Sequence, residues 1–401
     1  MERNIKLAYL ICFFRYTWFW FGIWVFYYLL YTDYAGIALI ETALIISLVI
    51  SEIPAGVIAD LVGKKRSLLI SFFLQATGIG MLALIPSFTT IALGVFIAGI
   101  GVSFYSGTLE ALVYDSLKQE NNEHKYGKVI ANLNSINFFA IALCSILGGL
   151  MYSLWPPLPT LASALGYVVG FMLTFFIFEP KIDSVKFTFK NSLLQVKHSV
   201  HELFKSRNVI RQTILLLSIS FIVVIADEMI NAFLGVEFGF MEKEAGIFWA
   251  IIFLFSSFFS LVTPWVKKRL RFYPAVFILG LLITMTLLVS PFLDKYSGWL
   301  SLLFRSSLQV MYLSFVSIGL NSVTESKYRA TTLSVFNMLK NIPYILFAYS
   351  IGVLSDAFSA KVISAWMGIG LLVLLITQGG LFFRNLKNNR RELISNATIT
   401  P

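Results

Sequence analysis

What most constrains this chain is a repeated pattern: twelve stretches of about 20 mainly apolar residues, each long enough to cross a hydrocarbon layer as a helix. They lie near 7–31, 36–58, 67–86, 88–113, 129–153 and 160–179, then 209–234, 245–266, 273–292, 297–320, 330–353 and 362–383. A membrane interior offers no water to unpaired backbone groups, so such runs fold as helices that satisfy their own N–H and C=O groups. The expected fold class is an all-α membrane protein. Composition agrees: 58% hydrophobic and 13% charged residues, with mean hydropathy +0.80, leave too little polar surface to cover a water-facing globule. The run from Leu7 to Leu30 exceeds the apolar core of a secretory signal and lacks a small-residue cleavage site, so it reads as the first spanning helix.

The charges give the orientation. An even number of spans puts both termini on one side, and Arg3 and Lys6 with Arg384, Lys387, Arg390 and Arg391 mark that side as cytoplasmic. The loops alternate: those at Lys64–Arg66, Lys118–Lys128, Lys181–Arg211, Lys267–Arg271 and Lys327–Arg329 are basic, whereas the opposite loops carry only Lys243, Lys295 and Lys361. A net charge of +10 would suit nucleic acid, but bases in short clusters between apolar runs are what membrane topology alone produces, and no nucleic-acid partner is expected. In segment 181–207, Leu193, Val196, Val200, Leu203 and Phe204 recur at helical spacing, which reads as an amphipathic helix on the cytoplasmic leaflet. The domains expected are a six-helix bundle over 1–180, this linker over 181–207, a second six-helix bundle over 208–384 and a cytoplasmic tail over 385–401.

Enzyme chemistry finds no support. Cys12 and Cys144 both sit in apolar runs, and His124, His198 and His201 lie in polar segments without an acid or cysteine cluster beside them. Gly63-Lys64-Lys65 lacks the glycine spacing of a phosphate-binding loop. No cofactor and no metal are expected, and the chain reads as a non-enzyme that is monomeric in the bilayer.

The stretch Gly56-Val-Ile-Ala-Asp60-Leu-Val-Gly63-Lys64-Lys65-Arg66 joins the second and third spans. It resembles the signature loop of the major facilitator superfamily, roughly Gly-x-x-x-Asp-basic-x-Gly-basic-basic, with Leu61 where a base is usual. Glu52-Ile-Pro-Ala-Gly56, Ser106-Gly-Thr-Leu-Glu110-Ala-Leu-Val-Tyr-Asp115 and Arg329-Ala-Thr-Thr-Leu-Ser334 look like a group of bacterial members often described as exporters. The resemblance implies two pseudo-symmetric six-helix bundles that rock about a midplane site. It also implies a cytoplasmic gate in which Asp60 and the basic loop, Asp115 and Arg329 latch that face closed. Two family features of proton-driven drug antiporters are missing: Val95 stands where an arginine is usual in span four, and Cys144-Ser145 where a Gly-Pro is usual in span five.

Ionisable groups inside spans cost at least about 2.5 kcal/mol each on insertion scales, so they should face a cavity or a partner. On depth, Arg15 and Glu52 should pair, either as a fixed bridge or as a moving gate. Asp227 and Glu228 in span seven should meet Arg305 of span ten, leaving one carboxylate free to carry a proton. Glu41 and Glu110, with Asn134 and Asn137 of span five and the span-eleven stripe Thr331, Ser334, Asn337, Lys340, Asn341 and Tyr344, should line the cavity. The amides and the lysine suit an anionic or polar group, or else bond neighbouring helices.

The reading that follows is a secondary transporter of the bacterial inner membrane working by alternating access, with proton-coupled export of a small amphipathic compound, the export direction coming from the resemblance alone. The alternatives are an uptake permease for a nutrient or metabolite, acting as symporter or facilitator, and, from another class, a transport-dead receptor or membrane enzyme.

Overall fold

The computed structural model describes residues 2–180, 189–325 and 329–397, and within them leaves aside the side chains of Asp60, residues 189–193, Gln195, Ala330 and everything from 380 onward. The described residues fold as helices: α1 (Glu2–Arg15), α2 (Trp24–Tyr28), α3 (Tyr34–Val62), α4 (Lys64–Leu84), α5 (Phe88–Tyr105), α6 (Thr108–Lys118), α7 (Tyr126–Leu154) and α8 (Leu158–Phe175). They continue as α9 (Phe189–Phe204), α10 (Arg207–Ile225), a π-helical turn (Ala226–Ile230), α11 (Asn231–Glu237), α12 (Glu242–Arg269), α13 (Phe272–Leu288), α14 (Lys295–Val323), α15 (Arg329–Phe358) and α16 (Ala360–Ala397). Among the described residues, 11 helical stretches are long and apolar enough to cross a membrane. They correspond to eleven of the twelve runs.

The remaining run, the first, is broken. α1 stops at Arg15 and the chain turns through Tyr16–Ile23 before α2. The Thr17 hydroxyl donates to the Phe14 carbonyl (2.8 Å), taking an acceptor the helix would use, and the amides of Trp18 and Phe19 donate back only two residues, to Tyr16 and Thr17. Irregular backbone survives at membrane depth only where protein satisfies it. Here Ser163 of α8 also accepts from the Phe19 amide (3.0 Å), and the Phe19 carbonyl rests on Gly148 of α7, where a Cβ would lie 1.7 Å from the oxygen. Gly148→Ala must therefore push the broken segment off α7. We expect it to lower the stability of the detergent-purified protein by about 2 kcal/mol, in the range of overpacked cores. Gly56→Ala, where a Cβ meets nothing within 4 Å, should leave the melting temperature unchanged.

α4 packs on α5 and α8, α3 on α5, and α1 on α6, α7 and α8; in the second half α14 packs on α12 and α13, α13 on α16, and α10 on α15. One cluster of buried apolar side chains fills the first half and crosses into α10–α11, α14 and α15, and a second lies within the second half. The halves meet along two helix pairs, α7 with α12 and α3 with α15. Many of the contacts that join them lie on the face opposite the basic loops. There the Asp356 carboxylate of α15 accepts from the amides of Tyr34 (3.0 Å) and Ala35 (2.9 Å), so it caps the N-terminus of α3 across the interface. Tyr34 stacks on Phe233 with ring centres 4.1 Å apart, and the Ser145 hydroxyl of α7 donates to the Gly246 carbonyl of α12 (3.0 Å).

The linker helix differs from the expectation of a helix lying on the leaflet. α9 packs against α10, α15 and α3, with Ser199 and Leu203 fully buried. The Leu203 carbonyl accepts from the Thr213 hydroxyl (3.0 Å), and Glu202 accepts from Lys205 (2.8 Å) and from the Glu325 amide (3.1 Å). The Lys205 ammonium, aided by that amide, holds the Glu202 carboxyl below its ordinary range. The apolar stripe thus serves protein packing, although Leu194, Val200 and Phe204 remain exposed. Residues 181–188 of the linker and 326–328 of the last basic loop lie outside the described residues, and α16 runs past the expected start of the tail at 385.

Candidate functional site

The basic loop is built as a cap. Gly63 ends α3 and starts α4 with φ of 94°, a left-handed backbone that favours glycine. Its conformation presents the amides of Lys64 and Lys65 to the Glu179 carboxylate at 2.8 and 2.7 Å. Glu179, just past α8, therefore caps the positive N-terminus of α4. The Lys64 ammonium pairs with Asp115 of α6, and the Lys65 ammonium donates to the Phe175 carbonyl (2.7 Å). All these partners belong to the first half. In this state Asp115 pairs with Lys64, because the end of α6 packs beside the start of α4. Arg329 opens α15 as an exposed residue, and the Asp60 side chain lies outside the described residues. Glu179 was not singled out from the sequence; the signal was an acid closing one span, opposite a helix start more than a hundred residues away.

Arg15 does not meet Glu52. Its guanidinium sits in an aromatic cage, its carbon 5.1 Å from the ring centres of Tyr16 and Tyr105, 5.2 Å from Trp18 and 6.0 Å from Tyr167. The residue is 3% exposed. Glu110 of α6 is the acid whose charge reaches the residues of this cage, Cys12, Tyr16 and Tyr105. The correction follows from packing: the break after Arg15 leaves α1 against α6, α7 and α8, away from Glu52. Glu52 instead accepts from the Ser334 hydroxyl of α15, a bond between the halves.

Arg305 does not meet Asp227 or Glu228 either. Fully buried in α14, it donates to Thr286 Oγ1 (3.2 Å), the Thr286 carbonyl (2.6 Å), Ser290 Oγ (2.8 Å) and Asn231 Oδ1 (3.1 Å), all neutral acceptors. Asn231 also donates to Gln309 (3.1 Å). Asn231 is the residue directly after the π-helical turn, so Arg305 and Gln309 fix the exit of that turn from behind. A π turn inserts one residue into the helical register and is frequent at functional sites. Here it carries Asp227 and Glu228.

These two carboxylates are exposed although they sit deep in the molecule, the pattern of groups lining an internal opening. Their cation is Lys340 of α15, whose charge reaches both. Glu228 also lies within electrostatic reach of Glu41 of α3, in the other half, and Glu41 is 7% exposed. Tyr28 lies within electrostatic reach of Glu41, and Tyr344 within reach of both Glu41 and Glu228. The Tyr344 side chain is fully buried and its hydroxyl has no hydrogen-bond partner. The centre of the interface is therefore three carboxylates, one ammonium and two tyrosines, drawn from span two, span seven, span eleven and the end of span one. Of the amides, Asn134 and Asn337 are exposed, while Asn137 and Asn341 are half-buried.

Among the described residues, no group of three histidine, cysteine or acidic side chains could hold a metal ion.

Comparison with known proteins places this geometry. The family model described as Major Facilitator Superfamily matches residues 7–348. A relative in Bacillus subtilis (strain 168), the uncharacterized MFS-type transporter YxaM, is 25% identical over 359 residues, covering 86% of each chain. Among solved structures, a mutant form of the nucleoside transporter NupG superposes with a TM-score of 0.81 at 15% identity, covering 94% of this chain and 100% of that one. A D-xylose-proton symporter superposes at 0.69 and 14% identity, covering 93% and 97%. At such identities these likenesses establish the fold alone.

Proposed function

Because this chain belongs to the Major Facilitator Superfamily, a family of multi-pass membrane transporters, we propose that it moves a small molecule across the bacterial inner membrane by alternating access, coupled to protons and directed outward. The observation that carries the proposal is the central cluster. Glu41 belongs to the first half, and Asp227, Glu228 and Lys340 to the second, so separating the halves must change the energy of every charge in it. A proton on Glu41 or Glu228 relieves like-charge repulsion across the interface and favours the closed arrangement of the centre. Loss of that proton favours separation, a population shift with a physical cause.

The basic-loop face is read as cytoplasmic. The capping of α3 by Asp356 and the Tyr34–Phe233 stack then close the outer face in this state. The Lys64–Asp115 pair and the Glu179 cap hold the first half rigid as one moving body.

The test is proton flux in proteoliposomes of the purified protein, followed with a trapped pH-sensitive dye while candidate compounds are added in turn. A compound that triggers proton movement supports the proposal. Counterflow of a labelled compound with no proton movement overturns the coupling and leaves transport standing. In cells, a protonophore should raise the content of an exported compound; a fall in content would reverse the direction.

A further inference from the structure

We infer that the first half holds a ligand site of its own, at the interruptions of spans one and four, and that it takes a zwitterionic amino acid with an apolar side chain. The site is separate from the cluster between the halves, so the inference stands or falls independently of the transport reading. It starts from Arg15, whose buried guanidinium lies 5.1 Å from the ring centres of Tyr16 and Tyr105, 5.2 Å from Trp18 and 6.0 Å from Tyr167. Its Nε and Nη1 atoms have no hydrogen-bond partner, and no carboxylate oxygen of the described residues lies within 4 Å of it. Ring faces attract a cation but leave its in-plane N–H groups unmet. Such N–H groups are not the rule for a guanidinium at this depth: Arg305 donates to four acceptors.

The unmet groups are gathered in one place. The Tyr105 hydroxyl and the indole N–H atoms of Trp18 and Trp20 are also buried without a hydrogen-bond partner, and the two indoles lie 6.3 Å apart. Both indole N–H groups approach Tyr167 without completing a bond. Glu110 adds one unmet acceptor, its buried Oε2. Tyr105 is the last residue of α5, Glu110 stands in the first turn of α6, and α1 packs against α6. Between them Gly107 has φ of 70°, Ser106 and Gly107 are exposed, and a Cβ on Gly107 would meet nothing within 4 Å. The break in span four therefore gives the cage an opening, and α6 begins there without a side-chain cap. Unmet donors around a guanidinium, beside a helix N-terminus, suit a carboxylate; an unmet carboxylate oxygen suits an ammonium. An anion would be opposed by Glu110 and a cation by Arg15. A zwitterion answers both and adds no net charge, while the rings supply apolar area for its side chain. Bound there, it joins the broken end of span one to span four, which Arg15 and Glu110 do not do directly.

The experiment is saturation binding of tritiated phenylalanine to the purified full-length protein in detergent, with phenylpropionate and phenethylamine as competitors. Each competitor keeps the ring and one of the two charges. The expected result is saturable binding, with each competitor about tenfold or more weaker than unlabelled phenylalanine. Arg15→Gln should lower the affinity for phenylalanine to about that of phenethylamine for the wild type. Glu110→Gln should weaken phenylalanine about tenfold and tighten phenylpropionate several-fold, because the carboxylate that repels it is gone. A gain of affinity cannot come from misfolding. Phenylalanine should also raise the melting temperature of the wild type and leave that of Arg15→Gln unmoved. Absence of saturable binding, competition by either single-charge compound as strong as by phenylalanine itself, or an unchanged affinity of Glu110→Gln for phenylpropionate would each overturn the inference. Each of these outcomes leaves the transport reading untouched.

Discussion

The double variant Glu41→Gln with Glu228→Gln will lose proton-coupled transport by about a hundredfold, the upper part of the range for coupling between linked sites. Glutamine keeps the size and hydrogen-bonding capacity of each side chain and removes only the charge and its titration. The choice of pair comes from the interface. Asp227 and Glu228 are sequence neighbours on one half, so the repulsion between those two changes little when the halves part. Glu41 and Glu228 lie within electrostatic reach of each other from opposite halves, so their repulsion depends on the separation. Asp227→Asn alone should therefore have the smaller effect. The measurement is dye-reported proton flux in proteoliposomes beside counterflow of the same labelled compound without a gradient. Counterflow should persist while gradient-driven accumulation disappears. Proton flux at wild-type rate in the double variant would remove these two residues as the carriers.

Arg305→Ala will cost about 3 kcal/mol or more of stability, since it leaves buried Asn231 Oδ1 without its donor, removes charged donors from the Thr286 carbonyl and Ser290 Oγ, and opens a cavity among them. We expect low yield of monodisperse protein and a melting temperature well below wild type in the same detergent. Two further substitutions separate packing from position. Arg305→Lys keeps the charge but cannot reproduce the planar fork that reaches acceptors on α11, α13 and the turn after it, so it should be intermediate. Arg305→Met fills the volume without hydrogen bonds. If Arg305 acts by holding Asn231 and thereby the π turn, Arg305→Met protein that remains folded should bind and transport poorly. Its proton dependence should also be altered, because Asp227 and Glu228 lose their register. Folded Arg305→Met protein with wild-type transport would confine Arg305 to stability.

Much of this protein was legible in its apolar runs. The span count, the alternation of basic loops and the two-bundle division each follow from one solvent, the hydrocarbon layer, acting on local sequence. The motif around Gly63 was equally local: one glycine with positive φ joins α3 to α4 directly before the basic cluster. The first span failed for an identifiable reason. No proline marks the break at Tyr16–Ile23; what permits it is Ser163 and Gly148, more than a hundred residues away, which satisfy and admit the irregular backbone.

Charge partners failed in the same way. Depth along a helix can be counted from sequence, but the azimuth of a side chain and the identity of the neighbouring helix cannot. Arg15 and Glu52 share a depth and face different neighbours, and Arg305 shares a depth with Asp227 and Glu228 while pointing behind them. The sequence by itself determined which runs are long and apolar enough to cross a membrane and which charges fall within them, because these depend only on transfer from water. Tertiary structure alone decided who meets whom: Lys64 with Asp115, Glu179 with the start of α4, Arg15 with four aromatic rings, Glu52 with Ser334. Those pairings depend on how helices rotate and pack, and a single π turn is enough to swing two carboxylates from one partner to another.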